Sequence, residues 1–179
     1  MKAIVLWERG KDNHESYSKE DTLDGYVLFY QSMKDHPVKV RVYLDGLEKG
    51  AHGFHIHEKG YSSDMWDEDC CSAMGGHFNI GEKWSPENIK GTPHGEHTGD
   101  LCFNIIPNID GMVDIGFTNK KISLFEGEGC IIGKGLVIHE DEDDMGVGIY
   151  EDEDKTIESK KTGNAGKRIA CGNIVLFYG

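Results

Sequence analysis

The chain has 179 residues, enough for one domain with a substantial core and short for two, so we expect a single domain spanning residues 1–179. Its net charge of −13, from 32 acidic and 19 basic residues, argues against nucleic acid or an anionic membrane as a partner, because both favour a basic surface. The 24 glycines, against an average usage of about 7%, combine with short apolar runs and frequent turn signals to predict an all-β domain.

Eight segments have strand character. In residues 38–45, Val38, Val40 and Val42 alternate with more polar residues, which is typical of a half-buried antiparallel strand. No segment of helical length shows a clear 3.6-residue period, so we predict an antiparallel sandwich or barrel whose loops carry the chemistry. The segments are 2–9, 25–31, 38–45, 51–58, 100–107, 112–118, 132–139 and 169–177.

Three long stretches interrupt these strands, at residues 10–24, 59–99 and 140–168. Structureless loops of this length in a compact domain are usually functional or disordered. The second holds two adjacent cysteines and three histidines, so a functional role is the better explanation for it.

The N-terminal stretch MKAIVLWERGKDNHE has too short an apolar run for a signal peptide, and no other run approaches membrane-spanning length. We therefore expect a soluble, cytoplasmic protein with no membrane partner. Five cysteines leave at least one unpaired within a monomer, and an intracellular setting makes disulfides uncommon. Composition alone thus favours free thiols.

The stretch GFHIHEKG places His55 and His57 two residues apart in a predicted strand. Alternate side chains of a strand point the same way, so both imidazoles should project from one face. His52 has the opposite parity and is predicted to be structural. A single pair of this kind is only a modest metal signal.

The stretch HGEHTGD spaces His94, His97 and Asp100 at three-residue intervals, and a tight loop of this kind can place three donors around one ion. Zinc favours nitrogen with one oxygen in a closed tetrahedral set. His77 follows two glycines, and His139 ends an apolar run before an acidic turn. Either of these two alone is more often a hydrogen-bonded structural residue, but the combination favours a metal site.

Five motifs, in this order, resemble the copper,zinc superoxide dismutase family from the first strand to the last. The motifs are GFHIHEKG, GGHFN, HTGDL, GKGLVIHEDEDDMG and TGNAGKRIACG. The resemblance implies an eight-stranded antiparallel Greek-key β-barrel or sandwich with long metal-binding and electrostatic loops. It also implies an oxidoreductase that disproportionates superoxide to dioxygen and hydrogen peroxide by cycling copper between Cu(II) and Cu(I), with a structural zinc.

The resemblance also implies the ligands of both ions. Copper would be held by His55, His57, His77 and His139. Zinc would be held by His77, which bridges the two metals, and by His94, His97 and Asp100. The family normally separates its second and third zinc histidines more widely than His94 and His97, and here the extra length lies before His94.

Further roles follow from the resemblance alone. Asp143 matches a carboxylate that joins the copper and zinc sides, although it is otherwise one more acid in a solvated turn. Arg168 matches the arginine that docks the anion beside copper, although it is otherwise a surface residue at a strand start. Cys71 and Cys171 match an intrasubunit disulfide, with Cys70 as an adjacent competitor.

The resemblance implies a homodimer built from residues 131–133, the loop near Gly60 and the last strand, with a copper chaperone as a further candidate partner. Lys59 and Asn173 are polar where the family commonly has apolar residues. The rival interpretation is a non-enzymatic metal protein, such as a copper-delivery partner on the same barrel. The four copper histidines, Arg168 and the absence of a CxxC motif favour the enzyme.

Overall fold

The computed structural model describes residues 1–5, 7–9, 23–61 and 71–178, with the side chains of residues 8, 9, 102 and 103 left out of the description. Nine strands and one α-helix lie within these ranges. The strands are β1 (Lys2–Val5), β2 (Glu8–Arg9), β3 (Asp24–Tyr30), β4 (Val38–Asp45), β5 (His52–His57), β6 (Asp100–Ile105), β7 (Val113–Asn119), β8 (Gly135–His139) and β9 (Arg168–Leu176). The helix is α1 (Glu153–Thr162), and a short 3₁₀ turn covers Ser72–Met74.

The strands form one antiparallel path in the order β6-β5-β8-β9-β1-β3-β4-β7, and the short β2 pairs with β9. Strands distant in sequence are therefore neighbours: β9 lies between β1 and β8, and β7 lies beside β4. This nearly closed antiparallel barrel confirms the predicted fold class. The first predicted strand, residues 2–9, is divided into β1 and β2.

The alternation in β4 sets the barrel's interior. Its valines and Leu44 are buried while the intervening residues face outward, and the inward side chains pack into one apolar core. Strand β5 is buried on both faces: Phe54 and Ile56 belong to this core, and His55 and His57 lie on the opposite face. The parity prediction for the two histidines therefore holds, and β5 presents both rings to a site outside the barrel core.

Helix α1 corrects the expectation that no helix would be found. Ile157 is its one apolar residue and only Ser159 is buried, so it has no apolar face whose period could reveal it. Its ends define it instead. Asp152 caps the first turn by accepting from the backbone N–H groups of Asp154 and Lys155, and Gly163 ends the helix with φ 73°. Acidic residues in the first turn and lysines in the last also match the helix dipole.

Cys71 and Cys171 form a disulfide across a sequence separation of 100 residues, with their Cα atoms 5.6 Å apart. Both are fully buried and pack with Met74 and Val137 in a small second cluster. The compositional expectation of free thiols is therefore wrong for this pair, whereas Cys130 is free. The disulfide attaches the loop before His77 to β9.

Within the described residues, none of the helical segments has the length and apolar character needed to cross a bilayer.

Candidate metal centre

The barrel brings the predicted histidines together on the outer face of β5. His55 and His57 come from β5, and His139 ends the neighbouring strand β8. The backbone of His77 pairs with that of His57, which fixes the loop beside the strand. All the predicted metal ligands are buried, with no more than 5% of each exposed. A metal ion needs several donor atoms close together, and these buried imidazoles supply them.

One group of donors consists of four histidines. His55, His57, His77 and His139 each offer a ring nitrogen, and these atoms lie within 4.8 Å of one another. The Nε2 atoms of His57 and His139 are 3.4 Å apart. Four imidazole nitrogens suit copper in both of its oxidation states.

Hydrogen bonds to the second ring nitrogen orient three of these rings. His57 Nδ1 donates to the Gly75 carbonyl at 2.9 Å, and His139 Nδ1 donates to the Gly166 carbonyl at 3.2 Å. His55 Nε2 donates to Asp143 Oδ2 at 2.6 Å. Each bond fixes the tautomer that leaves the opposite nitrogen unprotonated, as metal ligation requires.

His55 Nδ1 is the clearest sign that an ion belongs here. It is buried and has no hydrogen-bond partner among the described residues. An unsatisfied buried nitrogen lone pair is costly, and a cation held by the neighbouring rings would satisfy it. The residues of this group thus match the chemistry of copper.

A second group lies on the other side of His77. His77 Nδ1 is 3.2 Å from both Asp100 Oδ1 and His94 Nδ1. His94 Nδ1 and His97 Nδ1 lie 3.5 and 3.4 Å from Asp100 Oδ2. The four residues whose donors lie within 4.8 Å of one another are His55, His77, His94 and Asp100. His97 is outside that set, although its ring faces the same carboxylate.

His97 Nδ1 is also buried without a hydrogen-bond partner among the described residues, whereas His97 Nε2 donates to the Thr92 carbonyl at 3.1 Å. Two backbone N–H groups, from Gly95 and His97, donate to Asp100 Oδ2 at 2.7 and 3.0 Å. Three imidazole nitrogens with one carboxylate oxygen are a donor set that zinc prefers. The second group therefore matches a zinc site.

Asp143 joins the two groups. It accepts from His55 Nε2 at 2.6 Å and from His94 Nε2 at 2.8 Å, and it is 1% exposed. The alternative of a solvated surface acid is therefore wrong. His94 therefore lies beside His77 and Asp100, and the Asp143 carboxylate holds its ring together with that of His55.

Two residues that the sequence analysis missed hold Asp143 in place. Asn104 Nδ2 donates to the Asp143 carbonyl at 3.0 Å, and the Asp143 N–H donates to Asn104 Oδ1 at 2.8 Å. Gly163 leaves no room for a side chain, since a Cβ there would overlap Asp143 Oδ1 and lie 2.5 Å from His94 Nε2. The sequence did contain a sign of the role of Asn104, which is a polar residue inside the largely apolar strand run DLCFNII.

Arg168 lies at the start of β9 and reaches back to the loop before His77. Its Nη1 donates to the Cys71 carbonyl and its Nη2 to the Gly75 carbonyl, both at 2.6 Å. The Gly75 carbonyl also accepts from His57. The arginine, the disulfide and one histidine of the first group therefore share one network of hydrogen bonds.

His52 is not part of either group. Its two ring nitrogens lie 2.9 Å from the carbonyl oxygens of Glu48 and His139. The ring thereby connects β5 to the end of β8, which agrees with the structural role that its parity predicted.

Burial and neighbouring charges shift the pKa values of the site in a consistent way. Burial lowers the pKa of His57 and His77, and burial with the charge of His55 lowers the pKa of His139 to about 3. Burial alone would raise the pKa of Asp100 and Asp143, but hydrogen bonds from histidines hold both well below the ordinary value. These shifts favour neutral rings at His57, His77 and His139 and ionised carboxylates at Asp100 and Asp143, the forms that bind metals.

His94 is the exception among the histidines. Burial alone would lower its pKa, but the hydrogen bond to Asp143 and the charge of Asp100 outweigh it and raise the pKa above its ordinary value. A proton bound to His94 competes with a metal ion, so zinc uptake should release protons at this ring.

The metal-free protein is expected to lose stability as pH falls from 7 to 4. Histidines with depressed folded pKa values bind fewer protons in the native state than in the unfolded state, so unfolding takes up protons below pH about 6.5. His139 alone, with its pKa lowered to about 3, should account for about 2 kcal/mol between pH 7 and pH 5. His94 acts in the opposite direction. Urea unfolding of chelator-treated protein at several pH values measures the slope, and stability that rises towards pH 5 would contradict the prediction.

Comparisons with known proteins agree with this geometry. Residues 23–174 match the protein family described as copper/zinc superoxide dismutase (SODC). The chain is 44% identical over 160 residues to an extracellular superoxide dismutase (Cu-Zn) of Drosophila melanogaster, covering 88% of this chain and 78% of that protein. It is 41% identical to superoxide dismutase (Cu-Zn) 5 of Dictyostelium discoideum, covering 88% and 93%. The crystal structure of the clock protein EA4 is similar with a TM-score of 0.71 and 33% identity, covering 98% of this chain and 94% of that one.

Proposed function

Because the chain belongs to the copper/zinc superoxide dismutase family, an oxidoreductase family whose cofactors are copper and zinc, we propose that it disproportionates superoxide at a two-metal centre bridged by His77. One observation supports the bridging role: His55 and His77 both belong to the two donor groups, but His55 Nε2 is bonded to Asp143, whereas His77 Nδ1 lies 3.2 Å from Asp100 and His94. The proposed copper ligands are His55, His57, His77 and His139. The proposed zinc ligands are His77, His94, His97 and Asp100.

The overall reaction converts two superoxide anions and two protons into one dioxygen and one hydrogen peroxide. When bound, copper supplies a one-electron couple that takes an electron from the first anion and returns it to the second. The residues around it have the remaining tasks, which are to hold the donors, attract the anion and supply protons.

His77 is the proposed proton carrier. Its Nδ1 lies 3.2 Å from Asp100 Oδ1 and His94 Nδ1, and its ring contacts those of His55, His57 and His139, which leaves Nε2 as the nitrogen for the copper group. A nitrogen there can hold a proton between the two halves of the cycle and pass it to peroxide. Burial lowers the pKa of His77, which favours release of that proton.

Arg168 is proposed to dock the superoxide anion. Its guanidinium is always charged and presents several donors, and two bonds to backbone carbonyls fix its position beside the copper group. Its positive charge also helps to lower the pKa of His57 and His139, after the larger effect of burial.

Steering of the anion is predicted to be weak. The net charge of −13 repels superoxide, and Asp141 lies two residues from His139, although Lys160 and Lys161 occupy the end of α1 nearest the site. We expect the rate to fall only gently, or to rise, as salt is added. The variant Asp141→Lys should be faster at low salt and fall more steeply. Stopped-flow rates from 10 to 300 mM salt measure this, and a steep fall in the unmodified protein would refute it.

The proposed function is tested by superoxide consumption on metal-free, zinc-only and copper–zinc-loaded protein. Only the last should be active, and it should yield one hydrogen peroxide for every two superoxide anions consumed. The copper and zinc contents of two variants test the ligand sets. His139→Ala should lose copper and retain zinc, and Asp100→Ala should lose zinc before it loses copper. Activity in the zinc-only protein would overturn the proposal.

A copper-delivery protein on the same barrel remains the second candidate, because fold alone does not determine function. The mutual proximity of all four copper-group histidines and the fixed Arg168 favour the enzyme. A delivery protein would transfer its copper to a partner and show no catalytic consumption of superoxide.

The homodimer and the copper chaperone stay predictions. Asn173 directs its polar side chain to its own chain, where it donates to the Tyr61 carbonyl at 2.8 Å and accepts from the Tyr61 N–H at 3.0 Å. A polar residue satisfied in this way is compatible with a packed interface, whereas Lys59 is exposed. Light scattering at several protein concentrations measures the oligomeric state. Copper loading of the metal-free protein, with and without a cell extract kept under reducing conditions, tests the need for a chaperone.

The cytoplasmic location also stays a prediction. The Drosophila melanogaster relative is named an extracellular enzyme, which makes secretion the alternative for this chain. Fractionation of the native cells, with detection of the protein in the medium or the cytosol, distinguishes the two.

A further inference from the structure

Residues 82–92, which precede His94, form an ordered loop closed by a parallel bridge between Lys83 and Thr92. We call this loop the zinc-side hairpin because the chain turns back on itself, although its ends do not pair as antiparallel strands. The Thr92 N–H donates to the Glu82 carbonyl at 2.9 Å, and the Trp84 N–H donates to the Thr92 carbonyl at 2.8 Å. Asn88 Nδ2 donates to Glu82 Oε2 at 2.8 Å across the base of the hairpin. The zinc-side hairpin is therefore an ordered element that lies beside the second donor group.

The hairpin contacts His97 directly. His97 Nε2 donates to the Thr92 carbonyl at 3.1 Å, which assigns the proton to Nε2 and leaves Nδ1 with a free lone pair. That lone pair lies 3.4 Å from Asp100 Oδ2, and Nδ1 has no hydrogen-bond partner among the described residues. A lone pair that faces a carboxylate is repelled by it, and a metal ion bound by both groups would relieve this repulsion.

The hairpin also reaches His94 through helix α1. The half-buried Trp84 ring lies under the ammonium of Lys160, with Nζ 5.2 Å from the ring centroid. The Lys160 carbonyl accepts from the His94 N–H at 2.9 Å. Contact of Trp84 with the last turn of α1 thus supports the backbone that holds His94.

An ion pair fixes the hairpin to the copper side. Lys83 Nζ donates to Glu58 Oε1, and Glu58 directly follows His57 at the end of β5. The hairpin is therefore attached at three points: the end of β5, helix α1 and the ring of His97.

We propose that the zinc-side hairpin is a positioning element for His94 and His97. The inference rests on the proposed zinc ligand set. Thr92 acts through its carbonyl on the tautomer of His97, and Trp84 acts through Lys160 on the backbone of His94. Partners of this kind, once lost, typically weaken metal affinity by about 10- to 100-fold.

Gly91 offers a way to disturb the hairpin without touching a ligand. A Cβ at Gly91 would overlap the Lys83 carbonyl and lie 2.6 Å from the Trp84 nitrogen, so Gly91→Ala must separate the two arms. Gly116→Ala in β7 is the matched control, because its Cβ would meet no atom closer than 3.6 Å. Neither glycine adopts a left-handed conformation, so steric overlap alone distinguishes the two variants.

The test measures zinc affinity by chelator competition on metal-free protein, copper affinity in parallel, and the visible absorption of Co²⁺ substituted at the zinc site. Gly91→Ala should weaken zinc binding about 10- to 100-fold and reduce the tetrahedral Co²⁺ absorption. Copper affinity should stay within about 3-fold, and Gly116→Ala should match the unmodified protein in every measurement. A loss confined to one metal is not produced by general destabilisation.

If Gly91→Ala does not fold, the variants Trp84→Ala and Trp84→Phe test the same role of the zinc-side hairpin. Alanine should weaken zinc binding, and phenylalanine, which retains a ring beneath Lys160, should restore most of it. Unchanged zinc affinity in folded Gly91→Ala, or in Trp84→Ala, would overturn the role of the hairpin while leaving the proposed function intact. If the unmodified protein bound no zinc, the proposed ligand set itself would fail.

Discussion

Asp143→Ala is expected to weaken zinc binding by about 100-fold and to lower activity at limiting zinc. The carboxylate accepts from His55 Nε2 at 2.6 Å and from His94 Nε2 at 2.8 Å, so its loss frees one ring in each metal group. Two buried N–H donors would also lose their acceptor, at a cost of about 1–3 kcal/mol each. Zinc should be affected more than copper, because the copper group keeps His57 and His139, whose rings are oriented by the carbonyls of Gly75 and Gly166.

The neighbouring Glu142→Ala is the matched control, since Glu142 is exposed and lies one residue away in the same acidic turn. Zinc affinity is measured by chelator competition and stability by urea unfolding of the metal-free protein. If Asp143→Ala bound zinc as tightly as Glu142→Ala, the carboxylate would not be a link between the two groups.

Cys171→Ser is expected to lower the free energy of unfolding of the metal-free protein by about 3–5 kcal/mol. The disulfide closes a separation of 100 residues, a loop length for which the chain-entropy model gives about 4.7 kcal/mol. The loss should also reduce activity, because the Cys71 carbonyl accepts from Arg168 and the loop that carries it would be released.

Cys130→Ser serves as the control, because Cys130 is free and half-buried. Urea unfolding of both variants, and of the unmodified protein with reductant, gives the comparison. Reductant should reproduce the effect of Cys171→Ser. Equal stability of the oxidised and reduced proteins would show that the disulfide contributes little to the fold.

Strand patterns and histidine parity were readable from the sequence because they depend on the two-residue period of a strand. Alternating valines located β4, and the same parity separated His55 and His57 from His52. Both follow from which face of a strand a residue occupies, which is a local property. Assembly of the two donor groups required contacts between distant segments, and here the family motifs supplied what local pattern could not.

Helix α1 escaped prediction for a physical reason. Its residues carry no apolar stripe, so its stability depends on the Asp152 cap, the left-handed Gly163 and charges matched to the helix dipole. These end signals were present in the sequence, in the run from Asp152 to Gly163, but the acidic run at 140–144 and the glycines at 146 and 148 before them are typical of a loop. The helix then contributes to the site through a backbone carbonyl, that of Lys160.

Backbone acceptors are the general class that sequence reading missed. Backbone carbonyls orient three of the histidines: Gly75 orients His57, Thr92 orients His97 and Gly166 orients His139. Because every residue has a carbonyl, the residue type gives no sign of this role. Asp143 and Arg168 could equally have been solvated surface residues. Their assignment depends on contacts with segments that lie 39 to 97 residues away in the chain.

The central claim is that copper held by the four-histidine group is the source of activity. The most direct measurement is the rate of superoxide consumption by zinc-loaded protein as copper is added in fractions of an equivalent. The rate should rise linearly with bound copper, reach a plateau at one copper per chain, and stay near zero throughout in His139→Ala. A rate that is independent of copper, or that rises equally in His139→Ala, would contradict it.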